Sequence, residues 1–261
     1  MNKVAKKKTR IKAKNKPAAK KKAIAAKGST RKAAGAYPKR VAVILAGLQE
    51  AYPEATCELK HEAPFQLLIS TILSAQCTDV RVNQVTETLY KKYTKPEHFA
   101  YATPSELEGE IRPTGFFRNK TKSIMGASKA VVEEFGGQVP RTMEEILTLP
   151  GVARKTANVV LGTAYGIASG VVVDTHVQRL SRRLDLTLNE DPKKIEQDLM
   201  AVLPQDKWIV FSHQLIWHGR RVCVARKPRC VECNLEKICY AKDKTYWSAA
   251  PPLLRKRALS L

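Results

Sequence analysis

Four cysteines fall within 17 residues, Cys223, Cys230, Cys233 and Cys239, in the pattern C-x6-C-x2-C-x5-C. Thiols this close together in a strongly basic chain read as a metal framework rather than a disulfide one. Two occupants fit. Zinc sites commonly use two C-x2-C pairs, and only one is present. A [4Fe–4S] cluster also takes four thiolates, although the spacing is not that of bacterial ferredoxins. Spacing alone leaves both open. Arg220, Arg221, Arg226, Lys227 and Arg229 make the surrounding segment basic, which suits a phosphate-facing surface. Cys57 and Cys77 read as ordinary buried thiols.

A second constellation lies upstream, in Leu147-Thr148-Leu149-Pro150-Gly151-Val152-Ala153-Arg154-Lys155-Thr156-Ala157. A short helix (Met143 to Leu147) runs into Pro-Gly, and an apolar-periodic helix leaves it. Gly151 permits a positive φ, so successive N–H groups can point one way. With the following helix N-terminus they form an anion site suited to a DNA phosphate. A tight ligand-free turn stands equally open, but Arg154 and Lys155 beside the amides favour phosphate. Lys155 has a second possible use. At a helix start the positive dipole end works against an ammonium and for the neutral amine. Such an amine can attack a carbonyl-like carbon and form a Schiff base. Phosphate contact is the simpler reading from the residues alone. Asp174 precedes a helix with Val177, Leu180 and Leu184 on one face. It is most simply an N-cap, with a carboxylate aimed into a cleft as the compatible alternative. His176 reads as a packing or hydrogen-bonding residue.

The elements that must position these groups are helical. Val41, Ile44, Leu45 and Leu48 recur at helical spacing, as do Leu67, Leu68, Thr71 and Ile72, then Val82, Val85 and Leu89. Ile195, Leu199, Val202 and Leu203, and Trp208, Phe211, Leu215 and Ile216, do the same. Prolines and glycines punctuate these runs into helices of roughly 8–18 residues. The best strand-like run, Gly170 to Val173, is too short for a sheet. The fold class is therefore all-α, without an internal repeat of 20–50 residues.

At 261 residues with 44% hydrophobic content, the chain can bury one large core or two modest ones. No apolar run approaches the roughly 18 residues of a membrane span, and no leader-like stretch opens the sequence. A soluble, intracellular protein without membrane contact is the expectation. The formal charge is +22. Residues 1–36 hold 14 of the 46 Lys+Arg and no acid, so the remainder still carries 32 bases against 24 acids, a surplus of 8. The Lys/Ala tail should stay unfolded; it reads as a nucleic-acid tether, with a solubilising arm or an address as alternatives. Residues 248–261 are expected to be a second tail.

Taken together, these motifs resemble the endonuclease III family of base-excision DNA repair enzymes. The resemblance is collinear from about Tyr37 to Trp247. It is carried by Leu73-Ser74-Ala75-Gln76-Cys77-Thr78-Asp79, by Leu149 to Asn158, by Val173-Asp174-Thr175-His176 and by the four cysteines, in the family's order. It implies two helical domains with a DNA cleft between them. A six-helix barrel bearing the helix–hairpin–helix would occupy 58–168, and an iron–sulfur domain 37–57 and 169–247. It also implies a [4Fe–4S] cluster on Cys223, Cys230, Cys233 and Cys239, Lys155 as Schiff-base lysine and Asp174 as catalytic aspartate. Gln76 and Phe116 match the positions that fill the gap left by an extruded nucleotide. Gly151, Ala153 and Arg154 match the phosphate-binding hairpin. Two positions depart from the family: Ala153 replaces a second hairpin glycine, and Phe116 replaces a frequent leucine with a larger wedge that can stack on bases.

The function so implied is a bifunctional DNA glycosylase/AP lyase acting, as a monomer, on duplex DNA with oxidised pyrimidines or abasic sites. The expected location is the cytoplasm and nucleoid of a bacterium, or a eukaryotic nucleus. An adenine–mismatch glycosylase fits less well: that branch has a glutamate near Ser74-Ala75-Gln76, no hairpin lysine and a large extra C-terminal domain. A non-enzymatic hairpin DNA binder and an iron–sulfur electron carrier are the rivals from other classes. The carrier leaves the basic body and the hairpin without a use.

Overall fold

The structure is a computed structural model that describes residues 38–245. The tails expected at 1–36 and 248–261 lie outside the described residues. Those described form part of one compact unit, and no strand occurs among them.

Eleven α-helices account for the described fold: α1 (Pro38–Ala51), α2 (Pro64–Leu73), α3 (Asp79–Lys92), α4 (Pro96–Ala100), α5 (Pro104–Ile111), α6 (Phe117–Phe135), α7 (Met143–Ile146), α8 (Arg154–Tyr165), α9 (Thr175–Arg183), α10 (Pro192–Val202) and α11 (Trp208–Arg221). Local chemistry sets most boundaries. Proline in the first turn starts α2, α4, α5 and α10, where its missing N–H costs nothing. Thr78, Thr142, Asp174 and Asp191 cap α3, α7, α9 and α10 through their side chains. Gly136 and Gly166, both left-handed, end α6 and α8.

Two apolar clusters organise these helices. The first is built on α2, whose residues Phe65 and Leu67 to Leu73 are all buried, as a helix apolar on every side requires. Leu89 of α3, Leu107 of α5, Ile124 and Val131 of α6, and Val160 and Leu161 of α8 close around it. The second joins Ile44 and Leu48 of α1, Val177 and Leu180 of α9, Ile195 and Leu199 of α10, and Phe211 and Leu215 of α11. The apolar run Val171–Val173 is not sheet but buried irregular chain entering α9. Ser212 accepts the Val172 N–H at 3.1 Å in place of a strand partner.

Candidate active site and nucleic-acid interface

Lys155 is the second residue of α8, in the first cluster's helix set, and Asp174 caps α9 in the second. Both line one cleft of about 570 Å3, together with Cys57, Glu58, Thr71, Ser74, Asp79, Trp217 and Arg220 among others. Lys155 is exposed and Asp174 half-buried. Asp174 Oδ1 accepts the Val177 N–H at 2.8 Å, so the cap and a place in the cleft coexist in one carboxylate. Arg220 spans the cleft wall, bonded to Glu58 and, at 2.7 Å, to Asp79. Burial pushes the Cys57 thiol up and the His213 imidazole down, leaving both neutral near pH 7. His176 packs on α11: a Cβ at Gly219 would lie 2.8 Å from its Nδ1. Burial lowers its pKa as well.

The hairpin is tightly specified. Thr142 caps α7: its hydroxyl oxygen accepts the Glu145 N–H at 3.2 Å and its O–H donates to the Glu145 carboxylate at 2.8 Å. Gly151 has φ +77, and a Cβ there would sit 2.5 Å from the Ser123 Cβ on α6. Glycine is needed twice over, for the backbone and for the approach of α6. Gly151→Ala is expected to lower stability by about 1–3 kcal/mol and to weaken duplex binding as the turn shifts. Chemical denaturation and a salt-series binding titration would measure the two effects. Ala153 offers α8 no side-chain cap, so the first-turn N–H groups suit an external anion.

Arg154 has a second engagement. Its Nε donates to Glu196 Oε2 at 2.8 Å, and the Asn158 amide donates to the other oxygen at 2.7 Å. Glu196 is 5% exposed. The pair ties α8 to α10 beside Gly170, where a Cβ would meet Glu196 Oε1 at 2.1 Å.

Gln76, Phe116 and Gly151 line a second groove of about 650 Å3. Gln76 (φ 54) and Phe116 (φ 49) are left-handed although neither is glycine, a conformation that costs side-chain-bearing residues free energy. Phe116 is 61% exposed.

The four cysteines line a single cavity with Leu180, Leu184 and Leu235. Among the described residues no three His, Cys, Asp or Glu converge as a single ion's ligands would. Burial pushes His218 down to about 4, so its ring is neutral. Its Nδ1 shares a hydrogen bond of 3.0 Å with the Tyr52 hydroxyl, and its Nε2 lies 3.5 Å from Cys233 Sγ. With the tyrosine donating, Nε2–H faces the sulfur as a donor.

A family profile for the HhH-GPD superfamily base excision DNA repair proteins matches residues 69–205. Endonuclease III of Synechocystis sp. is 58% identical over 77% of this chain and 91% of its own length. The Escherichia coli K12 enzyme is 38% identical over 77% and 95%. The chain belongs to the endonuclease III family. Among solved structures, a non-covalent endonuclease III–DNA complex superposes with a TM-score of 0.74 at 40% identity, covering 78% of this chain and 95% of that one. A trapped endonuclease III–DNA covalent intermediate gives 0.74 at 39% identity, with the same coverage.

Within this endonuclease III framework, the residues singled out from sequence fall into three places. Lys155 and Asp174 share the cleft, Gln76, Phe116 and Gly151 share the groove, and the cysteines share the cavity. Arg154 reaches toward α10 instead of standing alone beside the hairpin amides. Sequence reasoning missed Glu58, Trp217 and Glu196, and it read Arg220 as part of a phosphate-facing segment, whereas its guanidinium is paired with Glu58 and Asp79 in the cleft wall. Arg220 and Glu58 are 162 positions apart, and no local spacing announces such a pair.

Proposed function

We propose that Lys155 and Asp174 carry the DNA glycosylase/AP lyase activity of this endonuclease III-family chain, on oxidised pyrimidines and abasic sites in duplex DNA. The observation behind the assignment is their meeting in one cleft from two different helix sets. The reacting C1′ is hidden in the duplex, so the nucleotide must be everted; unstacking costs a few kcal/mol and least at a damaged base. Gln76 and Phe116 would fill the vacated space, while the Gly151–Lys155 amides hold a phosphate. Neutral Lys155 attacks C1′ as the C1′–N bond breaks and the base leaves with its electron pair, taking up a proton. Asp174 stabilises the positive charge developing on the sugar. Ring opening gives the imine. Loss of a 2′ proton then expels the 3′ phosphate oxygen, which cuts the strand on the 3′ side of the lesion.

Cys223, Cys230, Cys233 and Cys239 would hold a [4Fe–4S] cluster. The convergence of all four thiols on one apolar-lined cavity, where among the described residues no three side chains close on a single point as one ion's ligands would, and the His218 ring beside Cys233 suit a polynuclear thiolate group. When bound, the cluster would cross-link the segment after α11 and so present its arginines to phosphate. Purified protein should contain about four irons and four sulfides per chain, and Cys233→Ala should lose most of both in a chemical assay. One iron, or zinc instead, would overturn this reading.

The division into a barrel at 58–168 and an iron–sulfur part at 37–57 and 169–247 is supported by the two apolar clusters, whose buried members respect it, while Cys57 at the boundary packs against the barrel cluster. The protein would act as a monomer in the bacterial cytoplasm, at the nucleoid; among the described residues no helix is long and apolar enough to cross a membrane. The decisive experiment is incubation with abasic-site duplex and borohydride. Covalent trapping that needs Lys155 supports the enzyme, whereas intact affinity without trapping supports a non-enzymatic binder.

A further inference from the structure

Lys120 on α6 is a lysine in an unusual place. It is 4% exposed, and among the described residues no carboxylate pairs with it. Its ammonium donates to two main-chain carbonyls instead, Leu73 O and Thr114 O, each at 2.8 Å. Leu73 ends α2, where carbonyls lack helical partners and the dipole end is negative, so a cation is well placed. Thr114 ends the 3-10 turn Arg112–Thr114 that leads into Gly115 and Phe116. Burial lowers the Lys120 pKa from its usual value, so the site costs something to maintain.

The two carbonyls belong to the two segments that carry the exposed groove residues. Gln76 follows Leu73 by three positions, and Phe116 follows Thr114 by two. Gly115 (φ 72), Phe116 and Gln76 are all left-handed, so each segment needs an outside anchor to hold it. Lys120 is also tied directly to one of them, since its own N–H donates to Phe116 O at 3.1 Å. We infer that Lys120 is a positioning residue for base eversion: its ammonium bolts the Gln76 segment to the Phe116 segment, setting both wedges at one separation so that they enter the duplex together. The inference deepens the reading under Proposed function and rests on its assignment of Gln76 and Phe116 to the gap left by the everted nucleotide.

A purely structural lysine and a wedge-setting one differ in which substrate suffers. Single-stranded abasic DNA has no stack to hold open, so Lys155 can reach its sugar without the wedges. Lys120→Met should reduce base release from a duplex containing an oxidised pyrimidine by roughly 10- to 100-fold, as expected when reacting groups are misplaced by about 1 Å. Borohydride trapping on a single-stranded abasic oligonucleotide should stay within about threefold of wild type, since nothing there depends on the wedges. In a Phe116→Ala background, Lys120→Met should add little to the duplex defect, because both act on one device. Should Lys120→Met melt below the assay temperature, Lys120→Gln, whose amide can still donate to a carbonyl, replaces it with the same comparison. Equal losses on the two substrates, or a duplex loss fully additive with Phe116→Ala, would overturn the inference. The underlying assignment fails separately: it falls if Phe116→Ala itself leaves the duplex-to-single-strand ratio unchanged.

Discussion

Lys155→Ala is expected to bind abasic-site duplex nearly as well as the wild type while losing strand cleavage by on the order of 10⁴-fold or more, the scale seen when a nucleophile is removed. Borohydride should then leave no covalent adduct. The comparison that separates chemistry from charge is Lys155→Arg. Arginine restores a cation beside the hairpin amides but cannot serve as the nucleophile, because its guanidinium stays protonated. If Lys155 only contacted a phosphate, Lys155→Arg would recover both affinity and activity, and Lys155→Ala would lower the salt dependence of binding by about one phosphate contact. If Lys155 is the Schiff-base amine, Lys155→Arg recovers affinity and nothing else. Gel-resolved trapping and strand scission on the three proteins decide the matter. The placement of Lys155 at the exposed start of α8, lining the cleft rather than packed in either apolar cluster, is what the chemistry requires.

What could be read from the amino-acid sequence follows how locally each feature is encoded. The capping residues, the proline starts and the glycine stops act within one helical turn, so the short helix read at Met143 to Leu147 occurs as α7 at Met143–Ile146. The hairpin was legible for the same reason: Pro150, Gly151 and the following basic pair are contiguous. The cysteines stand within one short segment and line one cavity. Arg154 shows where such reading ends. Its neighbours in sequence suggest a phosphate ligand, but its guanidinium also meets a buried carboxylate 42 positions on. Lys120 is a stronger case, since a lysine inside an amphipathic helix ordinarily points to water, and only the convergence of two distant carbonyls reveals its place. Gly170 looks like one end of a valine run, yet its missing side chain makes room for Glu196 and Asn158. Pairings across the fold have no period, and so no local pattern carries them.

Asp174 poses the sharpest separable question, because the structure gives it a structural duty in addition to its place in the cleft. Its Oδ1 accepts the Val177 N–H and its carboxylate faces the space shared with Lys155. Asparagine caps a helix as well as aspartate does, and its side-chain oxygen can accept the same N–H. Asp174→Asn should therefore shift the thermal midpoint very little, whereas Asp174→Ala should cost about 1 kcal/mol through the lost cap. The chemistry should respond differently. Both variants remove the charge that faces the developing cation, so both should slow base release by roughly 10²- to 10⁴-fold, the range for a positioned acid–base group. The two effects are read by separate instruments, a melting curve and a single-turnover time course. A stable Asp174→Asn with nearly full base release would reduce this carboxylate to a helix cap, and the positive charge on the sugar would need another partner. The cleft offers Glu58 and Asp79, but Arg220 already engages both, so the unshared negative charge beside Lys155 rests with Asp174.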